Sequence, residues 1–130
     1  MYLLDTNTLI YFFKDLGNVS KVLLSKSPHE IAISSIALYE LEVGIEKSNN
    51  PQKRKKQLKE LVSQVTVLPF GEKEAEAAAH IRAALESKGT PIGPYDTLIA
   101  GVALSSRSIL ITHNIKEFKR VENLHIEDWF

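Results

Sequence analysis

The sequence predicts an α/β domain with a parallel sheet covered by helices on both faces, and three observations carry that expectation. Short β-branched or apolar runs alternate with segments of helical periodicity along the whole chain. Segments of helical length stand between successive strand-like runs, as the βαβ units of a parallel sheet require. No repeat, low-complexity tract or linker interrupts the 130 residues, so one domain spanning 1–130 is expected.

The elements follow in order. "MYLL" is a short apolar run, and Asp5, Thr6 and Asn7 offer helix caps before "TLIYFFK". "EIAIS" (30–34) reads as a strand bounded by Pro28 and by Ser34-Ser35, which can cap the helix "IALYELEVGIEK". A charged helix over about 51–63 leads into the strand-like "VTVLPF", which Pro69 ends. Residues 72–88 place Ala75, Ala78, Ala79, Ile81, Arg82 and Leu85 at helical spacing. "GTPIGP" is a turn-rich connector whose Pro94 suits the first position of the helix "PYDTLIAGVALSS". "SILIT" (108–112) is the next strand and "LHIEDW" holds a last short one.

Composition narrows the function. The chain is 44% hydrophobic and 25% charged, as folded proteins are, and no apolar run approaches the roughly 18 residues of a membrane span. Asp5 disfavours a signal-peptide reading of the start. There is no cysteine, which excludes disulfide scaffolds, thiol catalysis and cysteine zinc sites, and fits a reducing cytoplasm. Lys+Arg and Asp+Glu number 16 each, so a general nucleic-acid coat is not expected. Lys53, Arg54, Lys55, Lys56 and Lys59 form a local basic cluster, read first as a solvated helix face and second as a phosphate-facing patch.

In parallel sheets, ligands gather outside the carboxyl ends of the strands. Asp5 follows the first strand, Glu40 lies in the helix after the second, and Asp96 is in the first turn of its helix. Asn114 and Glu117 follow "SILIT". Each has a structural explanation of its own. Asp5 is a helix cap, Asp96 meets a helix dipole, and Asn114 with Glu117 forms a capping box. These explanations do not say why all fall at one rim. Around Glu40 the helical neighbours Ile36, Ala37, Val43 and Gly44 are apolar or small, so a buried carboxylate there needs a cation or a proton. Gly44 opens room one turn beyond it.

Clustered carboxylates without cysteine favour Mg²⁺ or Mn²⁺ over zinc. His113 abuts the cluster and reads as a strand-end or substrate-contacting residue. Metal-assisted phosphodiester hydrolysis is the natural chemistry for such a set. No P-loop, nucleophile elbow or dinucleotide fingerprint is present.

With these residues in view, the chain resembles the PIN-domain ribonucleases, and among them the VapC-type toxins of toxin–antitoxin pairs. The segments that carry the resemblance are "LLDTNTLIYF", "ISSIALYELEVGIEKS", "KGTPIGPYDTLIAGVAL" and "ITHNIKEFKRVENLHIEDW". It implies a three-layer α/β/α domain with a central parallel sheet and a Mg²⁺- or Mn²⁺-dependent endoribonuclease site. Asp5, Glu40 and Asp96 are then the metal-holding acids. Family members often place an acid where this chain has Asn114, which leaves Glu117 as the available carboxylate. Thr6 and Thr112 are the hydroxyls that orient the acids. The resemblance further implies a homodimer, RNA as substrate (often transfer RNA) and a small antitoxin that blocks the site. Tyr11, Phe12, Phe13, Leu38 and Tyr39 exceed what one face can hold. Most read as core, with an exposed apolar groove for the antitoxin as the second expectation. The rival functions are a PIN-like module that binds RNA or a partner without cleaving, and a phosphatase or DNase using the same acids.

Overall fold

Five strands form a single, wholly parallel sheet: β1 (Tyr2–Leu4), β2 (Ile31–Ser34), β3 (Thr66–Leu68), β4 (Ile109–Ile111) and β5 (Ile126–Glu127). The computed structural model describes residues 1–130 and places the strands in the order β3-β2-β1-β4-β5. The first strand of the chain is therefore the middle of the sheet. Leu4 pairs with Ile33 on one side and with Ile111 on the other, so the three central strands end level. Leu3, Leu4, Ala32, Ile33, Leu110 and Ile111 are all fully buried. Successive residues of a strand point to opposite faces, so both faces are covered by helices, as a parallel sheet requires.

The helices are α1 (Thr6–Lys14), α2 (Val19–Leu24), α3 (Ser35–Glu46), α4 (Pro51–Val62), α5 (Glu72–Ser87), α6 (Pro94–Ser106) and α7 (Ile115–Phe118). A 3-10 turn over Pro28–Glu30 leads into β2. Ser34 caps α3 as expected, its hydroxyl accepting the Ala37 N–H at 3.0 Å. Pro94 opens α6 at a position that needs no N–H donor. In α4, Leu58 and Leu61 reach the core, while Lys53, Lys55, Lys56 and Lys59 are exposed. Arg54 is half-buried, donating to the Phe13 carbonyl and to Gln57 Oε1.

Helices α5 and α6 pack closely because Gly101 has no side chain. A Cβ there would sit 2.8 Å from the Ala78 Cβ and 2.9 Å from the Ala78 nitrogen. The main core joins 24 buried residues, among them Phe118 from the one-turn α7 and Trp129 near the C-terminus. Three elements differ from expectation. Helix α2 and the 3-10 turn arise where no element was foreseen, and α7 is a helix without the capping box expected at Asn114.

Candidate active site: a carboxylate cluster at the strand ends

Asp5 leaves β1 in extended geometry and is buried, with 3% of its surface exposed. Its N–H donates to the Ile111 carbonyl at 3.0 Å, which carries the sheet one residue past β1. Its side chain caps α1, Oδ1 accepting the Thr8 N–H at 2.9 Å. Of the three caps that the sequence offers before α1, the structure uses Asp5. Burial raises the Asp5 pKa above the usual carboxylate value, and the nearby Thr112 hydroxyl and Thr8 groups partly oppose that shift. Thr112 is fully buried, and its Oγ1 also accepts the Asn114 N–H at 3.0 Å.

Glu40 is half-buried on α3, less enclosed than its apolar neighbours suggested. Gly44 beside it is exposed, and a Cβ built there would meet nothing within 4 Å. The compensation expected from a cation or proton comes in part from Thr6, whose hydroxyl donates to Oε1 at 2.7 Å. Thr6 thus ties the start of α1 to the middle of α3.

Asp96 stands in the first turn of α6, where the helix dipole favours a charged carboxylate. Its pKa is nevertheless pushed up to about 6, first by burial and then by the charges of Asp5, Glu117 and Glu40. One carboxyl group therefore feels all three of the others. The fold brings Asp5, Glu40, Asp96 and Glu117 within electrostatic reach of one another from four separate segments. Asn114 plays a different part: its side-chain amide donates to Glu117 Oε2 and makes no helix-capping bond.

None of these acids has a basic partner. The ion pairs of the molecule are Arg82–Glu86 and His113–Asp128, and neither includes one of the four. As the side chains stand, no three or more His, Asp or Glu form a group that closes on one ion. Oxygen donors that are buried at Asp5 and half-buried at Glu40, Asp96 and Glu117, with no positive neighbour, fit a hard divalent cation.

His113 lies just beyond the end of β4, in keeping with the strand-end reading. Its Nδ1 lies 2.8 Å from Asp128 Oδ2, and its ring stacks on Phe130 with centroids 4.3 Å apart. Tyr11, Phe12, Phe13 and Leu38 are half-buried against the core, whereas Tyr39 is exposed. A groove of about 350 Å³, lined among others by Ile10, Phe13, Gly44 and Arg54, runs between α1, α3 and α4 up to Glu40. Tyr95 was not singled out from the sequence. Its ring meets that of Tyr39 with centroids 5.8 Å apart, and the one available signal was that each tyrosine directly precedes an acid.

A wholly parallel sheet with unpaired carboxylates gathered at the carboxyl ends of its strands puts the candidate site where ligands of such folds bind. Residues 2–124 match the PIN domain family, and the chain belongs to that family, in its VapC-type branch. It is 38% identical over 128 residues to the tRNA(fMet)-specific endonuclease VapC of Salmonella typhimurium, covering 98% of this chain and 97% of that protein. It is 39% identical over 132 residues to the ribonuclease VapC2 of Rickettsia felis, covering 99% and 98%. Among solved structures, VapBC2 from Rickettsia felis bound to a promoter DNA fragment superposes with a TM-score of 0.92 at 37% identity, covering 99% of this chain and 98% of that one.

Proposed function

We propose that this chain is an endoribonuclease toxin of the VapC type that cleaves RNA phosphodiester bonds with Mg²⁺ or Mn²⁺, in the cytoplasm, under control of a cognate antitoxin. The observation that carries the metal-dependent part is Asp96, whose carboxyl is crowded by three other carboxylates with no cation of the protein beside any of them. Transfer RNA is the proposed substrate class, supported by the named specificity of the Salmonella relative. An antitoxin partner is supported by the relatives solved as VapBC complexes. Residues 1–130 are proposed to act as one PIN domain, supported by the single sheet.

Asp5, Glu40 and Asp96 would hold the cation, with Glu117 completing the set. Bound there, a divalent cation supplies Lewis acidity toward a phosphate oxygen and acidifies a water molecule. The residues of the chain provide the preorganisation. Thr8 and Thr112 fix Asp5, Thr6 fixes Glu40, and Asn114 fixes Glu117. Asp96 keeps its proton to higher pH than an ordinary carboxyl, up to about 6, and is mostly ionised and open to a cation at pH 7. The same four acids repel an RNA phosphate while no cation is present, so productive RNA binding and metal binding are coupled. The non-cleaving alternative rests on Asn114 standing where relatives often carry an acid. Glu117, held by that asparagine, answers it.

The test uses toxin freed from co-expressed antitoxin. Asp5→Asn and Asp96→Asn are each expected to lower RNA cleavage by more than about 100-fold while the circular dichroism spectrum is unchanged. Excess EDTA is expected to stop the wild type, and Mn²⁺ to restore it. Full activity in both variants, or in EDTA, refutes the metal-dependent nuclease.

A further inference from the structure

Two tyrosines at the rim have no part in holding the acids. Of the four tyrosines in the chain, Tyr2 and Tyr11 are half-buried, whereas Tyr39 and Tyr95 are 52% and 43% exposed. The exposed pair are the two that directly precede acids of the site, in the dipeptides Tyr39-Glu40 and Tyr95-Asp96. Helices α3 and α6 pack together, so these dipeptides face each other, and the rings meet at 54° with centroids 5.8 Å apart. Neither ring belongs to the core or packs against it. The paired rings leave exposed aromatic surface directly beside the acids.

We propose that Tyr39 and Tyr95 form a stacking platform for one unpaired nucleobase beside the scissile phosphate, and so help decide which RNA segment is cut. The inference rests on the nuclease function proposed above. The chemistry divides cleanly between neighbours. The acids deal with the phosphate through their cation, while the adjacent rings offer π-faces to the base that hangs from the same nucleotide. Stacking on aromatic side chains is one way in which single-stranded RNA is held, and it needs bases splayed out of a helix. An unpaired segment is therefore the expected target.

The test titrates the toxin into single-stranded oligoribonucleotides carrying 2-aminopurine at successive positions, in Ca²⁺. Stacking quenches this base. The wild type is expected to quench it at one position next to the cut, Tyr39→Ala and Tyr95→Ala to lose that quench, and Tyr39→Phe and Tyr95→Phe to keep it. In Mn²⁺ the alanine variants are expected to lose about 5- to 150-fold in kcat/KM on single-stranded RNA, the range one stacked base supplies. The phenylalanine variants should stay within about twofold, since stacking on a ring survives loss of the hydroxyl. Cleavage unchanged in the alanine variants, or no position-specific quench, overturns the platform. A change of oligomeric state in those variants with quenching intact overturns it too, assigning the pair to contact with another protein copy. Quenching at the pair without RNA cleavage by the wild type would sink the nuclease function and keep the base-binding platform.

Discussion

Asp96 holds its proton more tightly in the folded chain than in the unfolded one, with a pKa raised from 3.8 to about 6. The sign follows directly. The stability it contributes is fully present below about pH 4 and is lost as pH rises through about 6. Asp5, Glu117 and Glu40 face it and supply the repulsion, and solvent reaching the half-buried group screens part of it. Asp96→Asn is therefore expected to raise the melting temperature of the metal-free protein at pH 7 and to flatten its pH dependence between about 4 and 6. Scanning calorimetry across that range decides it, and an unchanged or lowered melting temperature at pH 7 counts against the crowding. Thr6→Val removes the hydroxyl on Glu40 Oε1 and is expected to cost about 10- to 100-fold in cleavage with little loss of stability. These contacts were only partly legible in the sequence. The acids could be placed at one rim from their spacing, but helix cap and metal ligand looked like competing roles for Asp5. The geometry allows both, since one oxygen takes the Thr8 N–H and a carboxylate has lone pairs to spare. That Asn114 serves Glu117 was hidden, because it depends on a side-chain rotamer rather than on spacing.

Elements with strong end signals were the ones that could be read in advance. Ser34 caps α3 and Pro94 opens α6 because side-chain oxygens and proline satisfy the orphan groups of a first turn whatever the tertiary context. Helix α2 gave no such warning. It has six residues, its Asn18 cap makes no side-chain bond, and it is held by burial of Val19 and Leu23. Tertiary contact decides an element that short. The α5–α6 pair depends on one position that periodicity cannot reveal. Gly101→Ala forces a methyl group against the Ala78 and Glu74 backbone, which cannot yield as a flexible side chain would. A loss of about 1–3 kcal/mol in urea unfolding is expected. A neutral result would mean that the two helices slide apart freely.

Over the whole molecule, the formal charge is zero and the acids of the site stand without basic neighbours. Long-range attraction for RNA is therefore weak, and recognition falls to the rim itself. The dependence of log K on log salt is expected to have a slope of roughly −1 to −2, because single-stranded binding loses about 0.7 per neutralised phosphate. A slope near about −5 would instead draw the RNA across the exposed lysines of α4. The parallel sheet was legible from alternation, since crossovers leave long segments between strands. Its strand order was not, because short apolar runs such as "MYLL" and "SILIT" carry nothing that distinguishes one neighbour from another.

The order β3-β2-β1-β4-β5 has a bearing on synthesis as well as on shape. Asp5 is among the first residues made, yet the strand that carries it is flanked by β2 and by the much later β4. Glu117 comes later still. The four carboxylates therefore come together only after β4 and α7 have been added to the sheet that β1 centres.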